Sequence, residues 1–131
     1  MSNLDVLRNL TENLPSLGTL LEKKEKGFVE YSVKYGTCFG IKLLWDNSIA
    51  VQKAFMSKGT VFPDHVHDLE KEILIVFKGN LVINKENYTT NLSAGELSEI
   101  LPGESHSMFA STDTWLIAIT IPAEEGYPNG R

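Results

Sequence analysis

The sequence predicts an all-β fold, a β-sandwich or a barrel of jelly-roll type, preceded by a short helical segment. Three observations predict it. From residue 27 onward, short runs rich in β-branched and aromatic residues follow one another: FVEYSVKY, TCFGIKLLW, IAVQKAFM, EILIVFKG, LVINKENY and TWLIAITI. Between them stand DNS, SKG, NKEN, SAG, PG and STD, all clusters of turn-forming residues. No pattern of helical length interrupts these runs, and closely spaced strands joined by tight turns close into sandwiches or barrels.

The first 26 residues follow a different rule. Leu4, Leu7, Leu10 and Leu14 recur at three- and four-residue spacing, which draws one apolar stripe along a helix. Ser2 and Asp5 form a capping box, and Pro15 stops that helix at or before Leu14. TLLEKKEKG is expected to make a second short helix ending at Gly27. The KKEK run reads as a solvated face, and the leucine stripe as packing against the body or a partner. The closing AEEGYPNGR is expected to fray. The expected organisation is a helical extension over 1–26, one barrel over 27–122 and a tail over 123–131, without repeats or low-complexity tracts.

Composition narrows the function classes. A chain of 131 residues is one domain, long enough to bury a core without disulfide staples, and its single Cys38 cannot form one internally. The 12 basic residues against 17 acidic ones leave a net charge of −5, which argues against a broad nucleic-acid surface, since phosphate binding needs clustered Lys and Arg. Asp5, Arg8 and Glu12 interrupt any signal-peptide apolar run, and no stretch approaches the roughly 18 apolar residues of a membrane span. The expectation is a cytoplasmic protein that binds a small molecule, contacts neither membrane nor nucleic acid, and associates as a homodimer through its leucine stripe or a barrel edge.

Its chemistry is concentrated in GTVFPDHVHDLEKEILIVFKG. The chain has three histidines, and two of them, His65 and His67, stand one residue apart, so on an extended strand both point to one face. Glu72 opens the next apolar run, and a hairpin folding His67 back toward it would bring two imidazoles and a carboxylate together. His106, after a Pro-Gly turn, supplies a fourth donor. Nitrogen and oxygen donors of this kind bind Fe, Mn, Ni, Co or Zn. An HxH pair alone is a weak signal, and Glu72 alone could be an ordinary salt-bridge carboxylate; the weight lies in the combined spacing. No Ser-His-Asp arrangement or phosphate-binding loop is present.

The spacing carries a resemblance. Gly59, five residues, His65, one residue, His67, four residues, Glu72, six residues and Gly79 match the first motif of the cupin superfamily throughout. GELSEILPGESHSMFA resembles the second motif, with Gly95, Gly103 and His106 at its glycine, glycine and histidine. Leu101 stands where that motif has its first proline, followed by Pro102, and Ala110 where it often has asparagine; neither position is a ligand in the family. The resemblance spans about residues 45–122 and implies a double-stranded β-helix, or jelly-roll barrel, holding one divalent transition metal through His65, His67, Glu72 and His106. It further implies a small metalloenzyme of dioxygenase, decarboxylase or isomerase type, or else a sensing cupin without turnover. Thiol dioxygenases, which typically use three histidines and no glutamate, resemble it less.

Parity along the strands suggests the pocket wall. With Glu72 inward, Leu74 and Val76 share its face, and Met108 shares the face of His106. Val61 and Pro63 should share the face of His65. In IAVQKAFMS both faces are largely apolar, so Gln52 and Lys53 are both candidate pocket residues: Gln52 inward suits a neutral polar ligand, and Lys53 inward an anionic one. Glu99 and Glu104 are expected to face solvent.

Overall fold

The computed structural model describes residues 28–123; the expected helical extension and nearly all of the expected tail lie outside these. The described residues form ten strands and no helix. Six of them, β1 (Phe28–Tyr31), β2 (Cys38–Trp45), β3 (Ala50–Met56), β10 (Thr114–Ile121), β5 (Lys71–Lys78) and β8 (Leu97–Ile100), make one antiparallel sheet in that spatial order. The remaining four, β4 (Val61–His65), β9 (His106–Ala110), β6 (Asn80–Lys85) and β7 (Thr89–Ser93), make the second. Two antiparallel sheets with strands that alternate between them are the jelly-roll barrel expected from the sequence.

The observed strands refine the sequence reading. FVEYSVKY is a strand only to Tyr31; Tyr35 then makes an isolated bridge to Val61. LVINKENY is nearly all of one strand and the turn after it, since Lys85 and Tyr88 close a tight connection into β7. The TTNLS and LSEI strands are short and half polar, which hides their period in the sequence.

A common core forms where the two sheets face each other. Leu74, Val76, Ala54, Met56, Leu116 and Ala118 of the large sheet meet Leu81, Ile83, Leu92, Met108 and Ala110 of the small one. Each large aliphatic side chain taken fully from water stabilises the fold by about 1.5–3 kcal/mol. β3 and β10 are also apolar on their other face, which carries Val51, Phe55, Trp115, Ile117 and Ile119. That is why their sequences read as continuous hydrophobic runs rather than alternations.

Gly79 is the only residue between β5 and β6, which belong to different sheets. Its φ of 98° lies in the left-handed region, and a Cβ there would press on the Asp113 carbonyl and on Thr114. Thr114, fully buried, bonds Asn80 through its hydroxyl in both senses, accepting from the Asn80 amide at 3.1 Å and donating to its carbonyl at 3.0 Å. Gly79→Ala is therefore expected to cost about 2–4 kcal/mol in urea unfolding, combining the roughly 1–2 kcal/mol of left-handed strain with the steric conflict. An unchanged unfolding midpoint would show that this crossing relaxes freely.

Candidate metal centre

Four strands and connections deliver four donors to one point between the sheets. His65 ends β4, His67 lies in the connection after it, Glu72 is the second residue of β5 and His106 opens β9. One ligand atom from each of the four lies within 4.8 Å of all the others. His67, Glu72 and His106 are buried, and His65 is half-buried at the open side. The imidazole rings stand close, with centroids 4.0 Å apart for His65 and His106 and 5.1 Å for His65 and His67.

The convergence does not arise from the expected hairpin. β4 pairs with β9 in the small sheet, whereas β5 pairs with β10 and β8 in the large one. Residues 66–70 thus cross between sheets, and Glu72 faces the histidines across the barrel interior. The crossing is tied down where the Gly103 amide donates to the His67 carbonyl at 2.8 Å, joining the Pro-Gly turn before His106 to the HVH segment.

The outer nitrogens of two rings are fixed by backbone. His65 Nδ1–H donates to the Pro63 carbonyl at 2.9 Å, and His106 Nδ1–H donates to the Glu104 carbonyl at 3.1 Å. Such bonds select the tautomer that leaves Nε2 unprotonated toward the centre. His106 Nε2 nevertheless lies 3.1 Å from Glu72 Oε1, and His67 Nε2 lies 3.6 Å from the same oxygen. A neutral imidazole has one N–H, so His106 meets both of its acceptors at once only as an imidazolium or with a cation between ring and carboxylate. The donor set accordingly fits a divalent metal ion.

Electrostatics agree with that fit. Burial lowers His65 to about 4, helped by the neighbouring His106, so its ring is neutral at ordinary pH. Burial alone would raise Glu72, yet hydrogen bonds from His106 and His67 together with their charge bring it down to about 2. An ionised Glu72 beside the neutral His65 ring gives the charge and the free nitrogen that binding a cation requires.

Behind His106 stands a second set of contacts. Lys85 Nζ pairs with Glu104 Oε1 at 3.1 Å and donates to Tyr88 Oη at 3.0 Å and the Glu99 carbonyl at 2.9 Å. The same Glu104 oxygen accepts from the Leu101 amide at 3.1 Å, which braces the turn whose carbonyl orients His106. Glu99 also pairs with Lys71 at 2.8 Å in an exposed ion pair. Glu99 thus faces solvent, as expected, whereas Glu104 is half-buried against Lys85. Lys85→Met should loosen the turn and weaken metal affinity up to about tenfold, read by chelator competition. Unaltered affinity would leave the Lys85–Glu104 pair without influence on the centre.

A narrow cavity of about 40 Å³ adjoins the cluster, with His65 and Glu72 in its wall. Leu74 and Met108 line it as parity suggests, while Val76 is packed in the core rather than in the wall. Gln52 faces the cavity, and its Oε1 accepts from Tyr31 Oη at 2.9 Å. Lys53 does not line it. It lies on the opposite face of β3, its ammonium 4.7 Å from the Trp115 ring centroid and 5.5 Å from that of Phe77, and burial pulls it below the usual lysine range.

Val61 and Pro63 are also misplaced by simple alternation. The pairing of β4 with β9 slips between Phe62 and His65, so Phe62 shares the inner side with His65, their rings 4.9 Å apart. Tyr31, Cys38, Phe62 and Thr120 line the cavity without having been singled out. Burial pushes the Cys38 thiol up to about 12, which leaves it an inert wall residue.

Two facing antiparallel sheets with a three-histidine, one-glutamate cluster between them define a jelly-roll protein with a site fit for a metal ion. The family model described as Cupin domain matches residues 54–122, and the chain belongs to that family. Among solved structures, an RmlC-like cupin from Shewanella frigidimarina aligns with a TM-score of 0.67 at 21% identity, over 75% of this chain and 86% of that one. KdgF from Halomonas sp. aligns at 0.66 and 18%, over 73% and 89%. A predicted oxalate decarboxylase from Thermotoga maritima aligns at 0.62 and 23%, over 67% and 83%. Likeness at these identities establishes the fold. No curated protein matches the chain. Among the described residues no helix is long and apolar enough to cross a membrane.

Proposed function

We propose that this cupin holds one divalent transition metal through His65, His67, Glu72 and His106 and acts on a small organic molecule in the adjoining cavity. The observation that carries the reading is the set of four ligand atoms within 4.8 Å of one another, two of its members in the cavity wall. When bound, the metal supplies Lewis acidity or a redox centre. The chain's own residues do the rest: Glu72 provides a negative charge in a place poor in water, and the backbone-bonded His65 and His106 keep their nitrogens aimed inward. Leu74, Met108, Leu116 and Phe62 exclude water around the ligand, and the Tyr31–Gln52 pair offers hydrogen bonds to a polar group on it.

The cavity wall also bears on ligand charge. Among the described residues that line it none is Lys or Arg, and Lys53 lies on the far side of its strand. Three neutral imidazoles and one carboxylate leave a divalent site with one net positive charge. A neutral or singly charged ligand suits it better than a dianion, although one similar structure is described as a predicted oxalate decarboxylase. A second reading, binding without turnover, is favoured because the titratable side chains among the described residues of the cavity wall, besides the cluster itself, are Tyr31, engaged with Gln52, and the inert Cys38. Metal analysis of the natively expressed protein, followed by oxygen-uptake and decarboxylation assays on small hydroxy and keto acids, tests both readings. Stoichiometric metal with turnover supports the first, stoichiometric metal with binding alone the second, and absence of metal removes both.

A further inference from the structure

The cavity and the histidine cluster occupy the inner face of the large sheet, and the sheet has a second, outer face. Across that outer face the register sets Ile41 beside Lys53, Lys53 beside Ile117 and Ile117 beside Ile75, with Phe55 beside Trp115 in the next row. Ile117 is 2% exposed, Lys53 6%, Phe55 7% and Ile41 8%. Yet all ten described strands belong to the two sheets, and the small sheet together with the cavity lies on the inner side. A sheet that ends a sandwich normally turns polar side chains outward; the central strands of this one carry a continuous apolar surface with Lys53 set in it, and charged residues such as Glu30 and Glu99 stand on its edge strands.

We propose that residues 1–27 of the same chain dock on this outer face, the Leu4, Leu7, Leu10 and Leu14 stripe against Phe55, Trp115 and Ile117. The segment enters β1 at Phe28, the edge strand of this very sheet, so it is attached where the apolar face begins. Its 27 residues are enough to span six strands spaced about 4.8 Å apart, even at the short rise of a helix. The stripe's width, one leucine per turn or so, suits a sheet rather than an aqueous surface.

Trp115 is a reporter within the face, and Trp45→Phe leaves it as the only tryptophan in the full chain. Leu7→Asp with Leu10→Asp should red-shift its emission and raise acrylamide quenching severalfold, while metal content, set on the opposite side of the sheet, stays as in the parent. Leu10→Ala, a milder change, should raise quenching in the same direction and guards against loss of folding in the double variant. Quenching unchanged in both variants would overturn the proposal. Quenching and mass that both depend on protein concentration in the parent would also overturn it, because the cover would then come from a second copy. Loss of metal with an unaltered Trp115 signal would bear on the stripe's place near the centre and would likewise reject the outer face.

Discussion

His106→Ala is expected to remove stoichiometric metal while leaving the barrel folded. The side chain is buried, opens β9 and is the contact through which the small sheet holds Glu72 at 3.1 Å. Changes to groups standing behind metal ligands typically cost 10–100-fold in affinity, so loss of a ligand itself should exceed about 100-fold. The cavity left by an imidazole lowers stability by about 2–4 kcal/mol, which a core made from two facing sheets can absorb. Metal content after dialysis against a chelator, with circular dichroism as the folding control, reads both effects. Wild-type retention in His106→Ala would remove β9 from the site and leave His65 as the small sheet's one donor.

The metal-free protein is expected to lose stability steadily from about pH 6.5 downward. In the unfolded chain His65 takes up its proton near 6.5, but in the folded protein only near 4. Between those values the unfolded state binds the proton and the folded state does not, so the contribution is present above pH 6.5 and is lost on the way to 4. Allowing for the partial exposure of the ring, it amounts to roughly 2 kcal/mol. Glu72 extends the decline: held near 2 when folded against 4.5 as a model group, it contributes above 4.5 and is lost as pH falls to 2. Urea midpoints of chelator-treated protein at pH 7.5, 6, 5 and 4 should therefore fall progressively, and His65→Ala should flatten the upper part of that fall. A flat profile between pH 7 and 5 would contradict the burial assigned to His65. With metal present the fall should be steeper, because protons compete for the same nitrogens.

The ligand set was legible because its spacing is a property of the chain, whichever sheet each residue enters. The route by which the ligands meet was not: DLEK reads as a hairpin turn, and nothing local shows that β4 and β5 join different sheets. Leu74 and Met108 could be placed because their strands keep strict alternation from a ligand. Val61 and Pro63 were misassigned because one slip in pairing after Phe62 reverses parity, and no residue type announces it. Gln52 and Lys53 could not be separated, since β3 is apolar on both faces and a lysine stem over Trp115 satisfies the outer face as well as solvent would. Tyr31 escaped notice because its reach to Gln52 is a contact between residues 21 positions apart.

The strands that line the cavity differ in what they can change. β1, β2, β3 and β10 supply Tyr31, Cys38, Gln52, Ala54 and Ala118 to the wall and no ligand to the cluster. Ala54 and Ala118 are small, so enlarging either removes space for a bound molecule, and replacing Gln52 alters its polarity, without disturbing a donor atom. Substitution on these strands is therefore expected to change the shape and polarity of the cavity while the four donor residues stay in place.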